Sequence, residues 1–524
     1  MGKTKRTTKK KSIAKVKKAV AKNTPLRQHD IPEGKKTSRE VSLLSQLRRE
    51  RGSADKTPLP CEWNKSSKPF LTPQSSDFKE CLAKSYQGFC WEEPQDLEES
   101  LHTSFEKCFK DLEGLYLYDS VQAGGQRVSQ TFVRRCLIGL PGSTYKYLGL
   151  RLFSHPWSLD PEDGNIVAGK SESLVELGYC ARHSNALMQM GRLNKILTEK
   201  TEKQLDVHVP AETLRGPCNY TLTLVNRMEP TSTKHDLKKD PILHHKASVS
   251  WHKDSGLQDF SSIAVYHTIL GGTVQEGLPW RVALRVASST SRTPALVVPL
   301  PSQSMYYLLD DFNHQHEHAV LAGATQLRYS STHRVSRGGT WHAIRDRCHK
   351  VLEGEEPTLQ KRISAKHVRS QQQLWTELEF EWIRQWYVQG QEHADLHPYW
   401  HKPLEYMETC WKKLHATTIE ITRGLSSDLQ NDICDVLIEA YEERIQLREK
   451  WEARLKSPHF QSLADESKPM ECWITTAESD LASILKQLRK LRGGKTKKEK
   501  RKVASNWDAL KAKLSGGSNK KLKR

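Results

Sequence analysis

The chain has 524 residues, 36% hydrophobic and 27% charged, and is long enough for two or more domains that each have a core. It contains no apolar run of the roughly 18–20 residues that a membrane span needs and no apolar signal segment, so we expect neither a membrane partner nor secretion. The eleven cysteines lie between Cys61 and Cys472 without a Cys-x-x-Cys pair, which argues against a disulfide framework or a cysteine-rich zinc site and favours a reducing, intracellular compartment.

The net charge of +20 is concentrated at the two ends of the chain. Residues 1–22 contain ten basic and no acidic residues, and residues 491–524 contain thirteen basic and two acidic residues, whereas the part between them is close to neutral. Basic ends attract polyanions without sequence preference and also serve as nuclear import signals, although lysine-rich ends can simply keep a chain soluble. We therefore expect nucleic acid as a partner and the nucleus as the location, with the cytoplasm as a further location.

The predicted elements begin after a basic tail. Residues 1–57 are rich in Lys, Thr, Ser and Arg and are predicted to be disordered, apart from one short helix near Glu40–Arg51. Apolar residues recur near the helical period from 76 to 117. Short, often alternating segments between turn residues then continue from 130 to about 337 and predict an antiparallel jelly roll or barrel. A helical segment at 176–204 would cover its outside.

The pattern becomes helical again after about residue 341. Four segments with few glycines predict a separate helical bundle, at 374–386, 403–424, 428–455 and 474–492. The chain is thus predicted to be of the α+β class. The expected divisions are a basic disordered tail at 1–57, a jelly-roll domain flanked by helices at 58–338, an all-α helical-bundle domain at 339–492 and a second basic disordered tail at 493–524.

Two short stretches indicate a metal site. His252 and Asp254 are two residues apart, so on a strand their side chains share one face and can meet one ion. A third ligand would complete a facial triad for ferrous iron, with open positions for a cosubstrate and oxygen. The alternating histidines of His314–His318 also share a face of a strand, so His314, His316 or His318 could be that ligand. The alternatives are a chance pair on a turn and a solvated histidine-rich loop or incidental zinc site.

Four polar residues alternate beyond these histidines, namely Arg328, Ser330, Thr332 and Arg334. On a strand they share one face, and a buried face with two arginines is costly unless it meets anions. Arginine binds a carboxylate through two hydrogen bonds. A dicarboxylate held by iron at one end and by arginine at the other would therefore satisfy both groups. The alternative is an ordinary ion pair with Asp or Glu.

Seven segments carry a family resemblance: Arg135–Leu148, Arg151–Trp157, Val249–His252, Leu309–Asp311, His318–Gly323, Arg328–Val335 and Glu379–Trp386. They resemble the family of the fat mass and obesity-associated protein, AlkB-type 2-oxoglutarate-dependent nucleic-acid demethylases, and the resemblance extends over roughly residues 75–490. It implies a double-stranded β-helix catalytic domain followed by a helical domain. It also implies that His252, Asp254 and His318 are the catalytic metal ligands for Fe(II), and that 2-oxoglutarate and O2 are cosubstrates.

The same resemblance implies roles for the residues around the iron. The 2-oxoglutarate pocket would consist of Asn226, Tyr306, Arg328, Ser330 and Arg334. On the substrate side, Arg135 would hydrogen-bond the methylated base. Tyr147 and Leu148 would stack on one face of the base and Trp251 with His252 on the other, with Val249 and Ser250 beside them. The alternative for Tyr147, Leu148 and Trp251 is that they are ordinary residues of the hydrophobic core.

The sequence departs from the family beside the metal ligands. Ser255 stands where the family has a glutamate that contacts the base, and Lys253 replaces a second histidine. A serine side chain can still form one hydrogen bond, but it is shorter than glutamate and uncharged. The departure therefore leaves the preferred base open, whereas it does not affect the chemistry at iron. The polar stretch Pro230–Lys246 corresponds to a family insertion that blocks one strand of a duplex, or it is simply a loop.

The implied reaction is oxidative demethylation of N-methylated bases, with release of formaldehyde, succinate and CO2. RNA or single-stranded DNA is favoured as the substrate because the base must leave its stack. N6-methyladenosine in RNA is the first candidate, and 3-methyluracil and 3-methylthymine are others. Two alternatives are a 2-oxoglutarate oxygenase that acts on protein or a small molecule, and a non-catalytic nucleic-acid-binding scaffold whose helical domain recruits partners that the sequence does not identify.

Overall fold

The strands and helices below come from a computed structural model. It describes residues 43–492 except 124–126, 148, 159–170, 211, 230–233, 236–243, 246–248, 271–278, 324–325, 338, 353–363, 426–430, 457–469 and 475–480. The strands are β1 (Phe70–Leu71), β2 (Phe89–Glu92), β3 (Leu117–Ala123), β4 (Arg127–Gly139), β5 (Thr144–Tyr147), β6 (Leu150–Phe153), β7 (His155–Pro156), β8 (Leu222–Met228), β9 (Lys234–His235), β10 (His244–His245), β11 (Val249–His252), β12 (Ile263–Leu270), β13 (Arg281–Val286), β14 (Ala295–Pro299), β15 (Met305–Leu308), β16 (His316–Leu321) and β17 (Leu327–Arg334).

The helices flank this run of strands and follow it. They are α1 (Phe78–Ser85), α2 (Glu99–Asp111), α3 (Ser171–Glu176), α4 (Ala181–His208), α5 (Phe312–Gln315), α6 (Trp341–Leu352), α7 (Ala365–Glu377), α8 (Arg384–Tyr387), α9 (Gly390–Leu396), α10 (His401–Gly424), α11 (Asn431–Leu455) and α12 (Leu481–Leu491). A π-helical segment, Leu378–Ile383, joins α7 to α8. No helix in these described ranges combines the length and apolar character that a membrane span requires.

Eight strands, four in each of two facing sheets, form the centre of the domain. The larger sheet has the order β2-β15-β12-β17-β8-β4-β3, with β7 beside β4, and the smaller has the order β1-β14-β13-β16-β11. Strands β8, β12, β15 and β17 of the larger sheet alternate along the chain with β11, β13, β14 and β16 of the smaller, except that β13 and β14 are consecutive and pair as a hairpin within the smaller sheet. This arrangement is a double-stranded β-helix, so the prediction of a jelly roll is confirmed.

The core between the sheets follows from the period of two in their strands. Val282 and Leu284 of β13 face Val265 of β12 and Leu308 of β15 in one buried cluster. The outer face of the larger sheet contributes Tyr266 to a second cluster, where α2 and α4 cover it. The prediction of a covering helix is therefore confirmed. The predicted helical stretch 76–117 is interrupted, because β2 pairs there with β15 as an edge strand of the larger sheet.

The helices beyond residue 341 form the predicted bundle around a third cluster of buried side chains. At its centre, the fully buried carboxylate of Glu379 contacts three guanidinium groups, those of Arg384, Arg444 and Arg448. The bundle packs on the jelly roll through Phe153, whose ring centroid lies 4.9 Å from that of Trp400. Breaking a buried charge network of this kind is strongly destabilising, because it leaves charges uncompensated.

The start of the described chain differs from the predicted disordered tail. Residues 43–51 are helical, as the short predicted helix suggested, and a 3-10 turn follows at Ala54–Lys56. The side chain of Leu47 is fully buried against Phe260 of the jelly-roll domain. This segment is therefore packed on the catalytic domain, which composition alone does not reveal.

Candidate metal centre

Three predicted ligands converge at one end of the barrel. His252 is the last residue of β11, Asp254 follows it in a loop, and His318 lies on β16 directly opposite His252. One ligand atom from each side chain lies within 4.8 Å of the other two, and the described part of the chain holds no other such His/Cys/Asp/Glu group. Two imidazoles and one carboxylate form the ligand set of a ferrous facial triad.

The strand that carries His252 is irregular, which corrects one prediction. Val249 pairs with Val320 and His252 with His318, so three steps on β11 match two on β16. This bulge lets Val249 and His252 face the barrel interior together. The strand then ends, and Asp254 reaches the ligand cluster from the loop rather than from the same strand face.

The protonation of the ligands suits a metal. Nδ1 of His252 donates to the carbonyl of Ser250 at 2.7 Å, so Nε2 faces the cluster, 3.6 Å from Asp254 Oδ1. Burial alone would lower the pKa of His252, but the hydrogen bond and charge of Asp254 outweigh burial and raise that pKa above its usual value. Burial lowers the pKa of His318 to about 3, so its imidazole is neutral at pH 7. Burial alone would raise the pKa of Asp254, but the Arg334 guanidinium together with His252 and His318 outweighs burial and holds that pKa below its usual range.

The backbone of Asp254 is held by a residue that the sequence prediction missed. The Asn313 side chain accepts a hydrogen bond from Asp254 N at 3.0 Å and donates one to Asp254 O at 2.8 Å. Arg334 Nη2 lies 2.9 Å from Asp254 Oδ2. Two contacts on the backbone and one on the carboxylate thus fix the ligand that lies outside the strands. No local pattern marks Asn313, because its partner is 59 residues away.

The other two histidines of the alternating run have different surroundings. His314 lies on the short helix α5, so the three rings do not share a strand face as predicted. His316 begins β16, but its Nε2 contacts Ser85 O at 2.7 Å and its ring stacks on Phe312 at 4.0 Å. Of the three, His318 belongs to the ligand cluster.

The surroundings of Arg328 fit a bound anion. Its side chain is 1% exposed, and its Nε and Nη2 have no hydrogen-bond partner among the described residues. Nη1 donates to Ser330 Oγ at 3.3 Å and contacts the sulfur of Met228, and no acidic group in the described ranges pairs with this charge. Burial lowers its pKa to about 10, which still leaves it protonated at pH 7. A carboxylate of 2-oxoglutarate would satisfy the two orphaned nitrogens.

The remaining predicted cosubstrate residues surround Arg328. Alternation along β17 places Ser330 and Arg334 on its face, and Asn226 of β8 lies directly opposite Ser330. Tyr306 of β15 is buried, and burial raises its pKa to about 12, so its hydroxyl keeps its proton for donation. The predicted set fits the cosubstrate by the chemistry of its donors.

The predicted base-binding residues are only partly brought together. Arg135 lies opposite Asn226 in β4. Tyr147 is on β5, which pairs with β6 alone among the described strands, and its ring stacks on Tyr145 with centroids 6.4 Å apart. Leu148 and most of Pro230–Lys246 lie outside the described residues.

The predicted stacking of Tyr147 and Trp251 on opposite faces of the base depends on the direction of the Trp251 side chain on β11. Trp251 packs against the outer face of the smaller sheet, with the Arg285 guanidinium 4.6 Å from its ring centroid. Tyr147 packs instead against the barrel core with Val249, so the two rings belong to different clusters. The β11 bulge turns Trp251 outward while His252 faces inward. The side chains of Ser250 and Ser255 are exposed.

Tyr145 connects the β5–β6 hairpin to the metal ligands, although the prediction did not assign it a role. Its hydroxyl donates to Ser255 O at 2.8 Å and lies 3.4 Å from Arg334 Nη1, whose guanidinium also holds Asp254. The signal was present in the sequence, because Tyr145 and Tyr147 alternate within one matching segment. The hairpin is therefore tied to the loop that follows the iron ligand.

Tyr145→Phe is expected to lower the initial rate of 2-oxoglutarate turnover with substrate about two- to tenfold, because one hydrogen bond contributes about 0.5–1.5 kcal/mol. The rate of succinate formation measures this effect. Tyr147→Phe is the matched control, since it keeps the stacking ring and should leave the rate near that of the wild type. Equal rates for Tyr145→Phe and wild type would contradict the role of this hydroxyl.

Comparisons with known proteins agree with this site. The family model for the FTO catalytic domain matches residues 76–337, and the model for the FTO C-terminal domain matches residues 339–492. A curated relative, the alpha-ketoglutarate-dependent dioxygenase FTO of Xenopus laevis, is 27% identical over 76% of this chain and 87% of its own length.

The solved structures that match this chain are more distant. A 2OG-Fe(II) oxygenase from Burkholderia pseudomallei is 11% identical, covers 52% of this chain and 98% of its own, and has a TM-score of 0.28. A prolyl hydroxylase from Trichoplax adhaerens is 10% identical over 48% of this chain and 84% of its own, with a TM-score of 0.27.

The fold and the site define an iron(II)- and 2-oxoglutarate-dependent dioxygenase, with O2 as the second cosubstrate. The two domain models together match well over half of the chain. The chain therefore belongs to the FTO family.

Proposed function

We propose that this dioxygenase removes N-methyl groups from bases in RNA or single-stranded DNA, with N6-methyladenosine in RNA as the preferred substrate. The proposal rests on the hydrogen bond from the Tyr145 hydroxyl to the Ser255 carbonyl, which joins the aromatic β5–β6 hairpin to the loop that contains the iron ligand Asp254. Aromatic side chains stack on any base, and a base next to iron presents its methyl group for oxidation. The basic ends of the chain supply attraction to the phosphate backbone and support the nucleus as the location.

The residues of this chain divide the work of the reaction. His252, Asp254 and His318 would hold iron, and Arg328 with Ser330 would hold the distal carboxylate of 2-oxoglutarate. When bound, these groups supply the oxidant that hydroxylates a methyl C–H bond, with succinate and CO2 as products. The hydroxymethyl group then leaves the base as formaldehyde. The C–N bond breaks, the hydroxyl oxygen loses its proton as the C=O bond forms, and the base nitrogen gains a proton.

The positions of the chain's own groups favour an unstacked base. Arg135 lies in register with Asn226 and Ser330 on adjacent strands, so its side chain can orient a base beside the cosubstrate pocket. His318 and Arg328 are deeply buried, which keeps water from the reacting groups. A base can reach this depth only after leaving its stack, and that step costs least in a single strand.

The test is turnover with defined oligonucleotides. The protein is incubated with Fe(II), 2-oxoglutarate, O2 and RNA containing N6-methyladenosine or 3-methyluridine, or single-stranded DNA containing 3-methylthymine, and succinate and formaldehyde are measured. We expect equal amounts of the two products with methylated strands, and neither formaldehyde nor stimulated succinate with unmethylated ones. Succinate formation that no methylated strand stimulates would contradict the nucleic-acid substrate and favour another substrate class.

Ser255→Glu is expected to shift the choice of base. A glutamate carboxylate can accept a hydrogen bond from the N–H of N6-methyladenine, whereas 3-methyluracil has its methyl group at the corresponding imide nitrogen. We expect the ratio of kcat/KM for N6-methyladenosine over 3-methyluridine to rise about tenfold, the lower end of a hydrogen bond to a charged group. Gln258→Glu adds the same charge three residues along the loop and should leave the ratio unchanged. An equal ratio in both variants would remove Ser255 from base selection.

A further inference from the structure

The helical segment 43–51 precedes the first residue of the family match, which is 76. It nevertheless lies against the loops that hold the metal ligand. Leu47 is buried against Phe260, and Arg48 pairs with Asp259, Nη2 to Oδ2, at 2.7 Å. Both partners belong to the loop that runs from Asp254 to β12. The helix is therefore in contact with the segment that carries the ligand.

Arg51 is the centre of this contact. Its side chain is 16% exposed, and its guanidinium pairs with the carboxylate of Asp310 and donates to the carbonyl of Leu214. The same guanidinium lies 5.3 Å from the ring centroid of Phe260. Asp310 is also held from the other side, since its Oδ1 accepts from Gly216 N at 2.9 Å. One side chain thus joins three separate parts of the chain.

Two of the residues that Arg51 contacts have an unfavourable backbone. Phe260 has φ of 61° and Asp310 has φ of 55°, in the left-handed region that residues other than glycine rarely adopt. Each such conformation costs on the order of 1–3 kcal/mol and persists only where its surroundings hold it. Arg51 supplies an ion pair at one of these residues and covers the ring of the other.

Both strained residues flank the support of Asp254. Asp310 begins the turn that leads to Asn313, whose side chain holds the Asp254 backbone through two hydrogen bonds. Phe260 lies six residues beyond Asp254 in the loop itself. A change in either backbone would move the carboxylate that lies outside the strands, whereas His252 and His318 are fixed by their ladder.

We propose that Arg51 is a positioning residue for the iron site, acting through Asp310 and Asn313 on Asp254. The segment 43–51 is then a working part of the metal centre. This inference concerns metal binding and holds whichever base the enzyme accepts.

The experiment measures Mn(II) binding to the full-length protein by titration calorimetry in the presence of 2-oxoglutarate, without nucleic acid. Arg51→Met is expected to raise the Kd for Mn(II) about tenfold, the lower end of the effect of losing a group that orients a metal ligand. Arg51→Lys should give an intermediate Kd, because lysine keeps the charge but cannot hold Asp310 and Leu214 O with one planar fork. Failure of the nucleic-acid proposal would leave these values unaffected.

Two further variants keep the result decisive. Arg49→Met is the matched control, because Arg49 is exposed on the same helix and donates to Ser45 O; it should keep the wild-type Kd. Asp310→Asn removes the ion pair but retains an acceptor for Gly216 N and tolerates the left-handed backbone, so it reports on the pair even if Arg51→Met does not fold. Wild-type Mn(II) affinity in Asp310→Asn, or in a folded Arg51→Met with a lowered Tm, would overturn the proposal and leave Arg51 as a structural anchor.

Discussion

Arg328→Met is expected to weaken 2-oxoglutarate binding at least about 100-fold, because each hydrogen bond to a charged group contributes about 1.5–3 kcal/mol and two nitrogens await the carboxylate. The same substitution should make the protein without 2-oxoglutarate more stable. The buried guanidinium has no acidic partner in the described chain, and burying an unpaired charge costs free energy that an apolar side chain of similar volume does not.

Calorimetry and urea unfolding with and without 2-oxoglutarate measure the two effects of Arg328→Met. Wild type should gain stability on adding 2-oxoglutarate with metal, and the variant should not. Arg328→Lys is the matched control: it keeps a buried charge and loses the fork, so it should bind weakly without the gain in stability. A fall in the stability of ligand-free Arg328→Met would show that its charge is balanced within the protein.

His318→Ala is expected to abolish turnover and to lower Fe(II) affinity by more than about 100-fold. Loss of a group that only orients a metal ligand already lowers metal affinity by up to about 100-fold, so loss of the ligand itself should lower it further. His318 lies opposite His252 and within the 4.8 Å cluster, and its neutral ring is available to the metal. Titration with Fe(II) under anaerobic conditions and succinate formation in air measure both effects.

His314→Ala is the control for that loss, since His314 belongs to the same alternating run. It lies on α5, and the contact that Lys253 makes with it goes to its backbone carbonyl, which alanine retains. The substitution also removes the contact between the His314 and Phe260 rings, whose centroids lie 6.3 Å apart, so Fe(II) affinity should fall by far less than in His318→Ala. Comparable losses in the two variants would mean that the third ligand is not determined by the β16 register.

Alternation along the chain correctly predicted that Arg328, Ser330 and Arg334 share one face of a strand. Arg328, Ser330 and Arg334 share one face because β17 is regular over its whole length and pairs with a strand on each side. The same rule failed at His252 and Asp254, where β11 has a bulge and ends. The ligands meet nonetheless, because the loop brings Asp254 back. Periodicity describes regular strands, and sites are often built where strands stop.

Contacts between residues that are far apart along the chain could not be predicted from the sequence. Asn313 holds Asp254, and Arg51 reaches Asp310 across 259 residues, so neither pair has a local pattern. Trp251 was placed in the base pocket by resemblance, but the bulge at β11 sets its direction. Composition predicted a tail over 1–57, apart from one short helix, because it counts charges and does not register that the buried Leu47 anchors that helix on Phe260.

The β5–β6 hairpin is hydrogen-bonded to neither of the large sheets among the described strands. Side chains attach it instead: Tyr145 to the ligand loop, Lys146 to Glu381, and Arg151 to Trp382, with the guanidinium 4.0 Å from the indole centroid. Because no strand of the hairpin pairs with β11 or β16, substitutions in it other than at Tyr145 should leave the register of the iron-binding strands intact. Under the proposed function, hairpin positions other than Tyr145 can therefore change the contacts to the base without altering the pairing of β11 with β16.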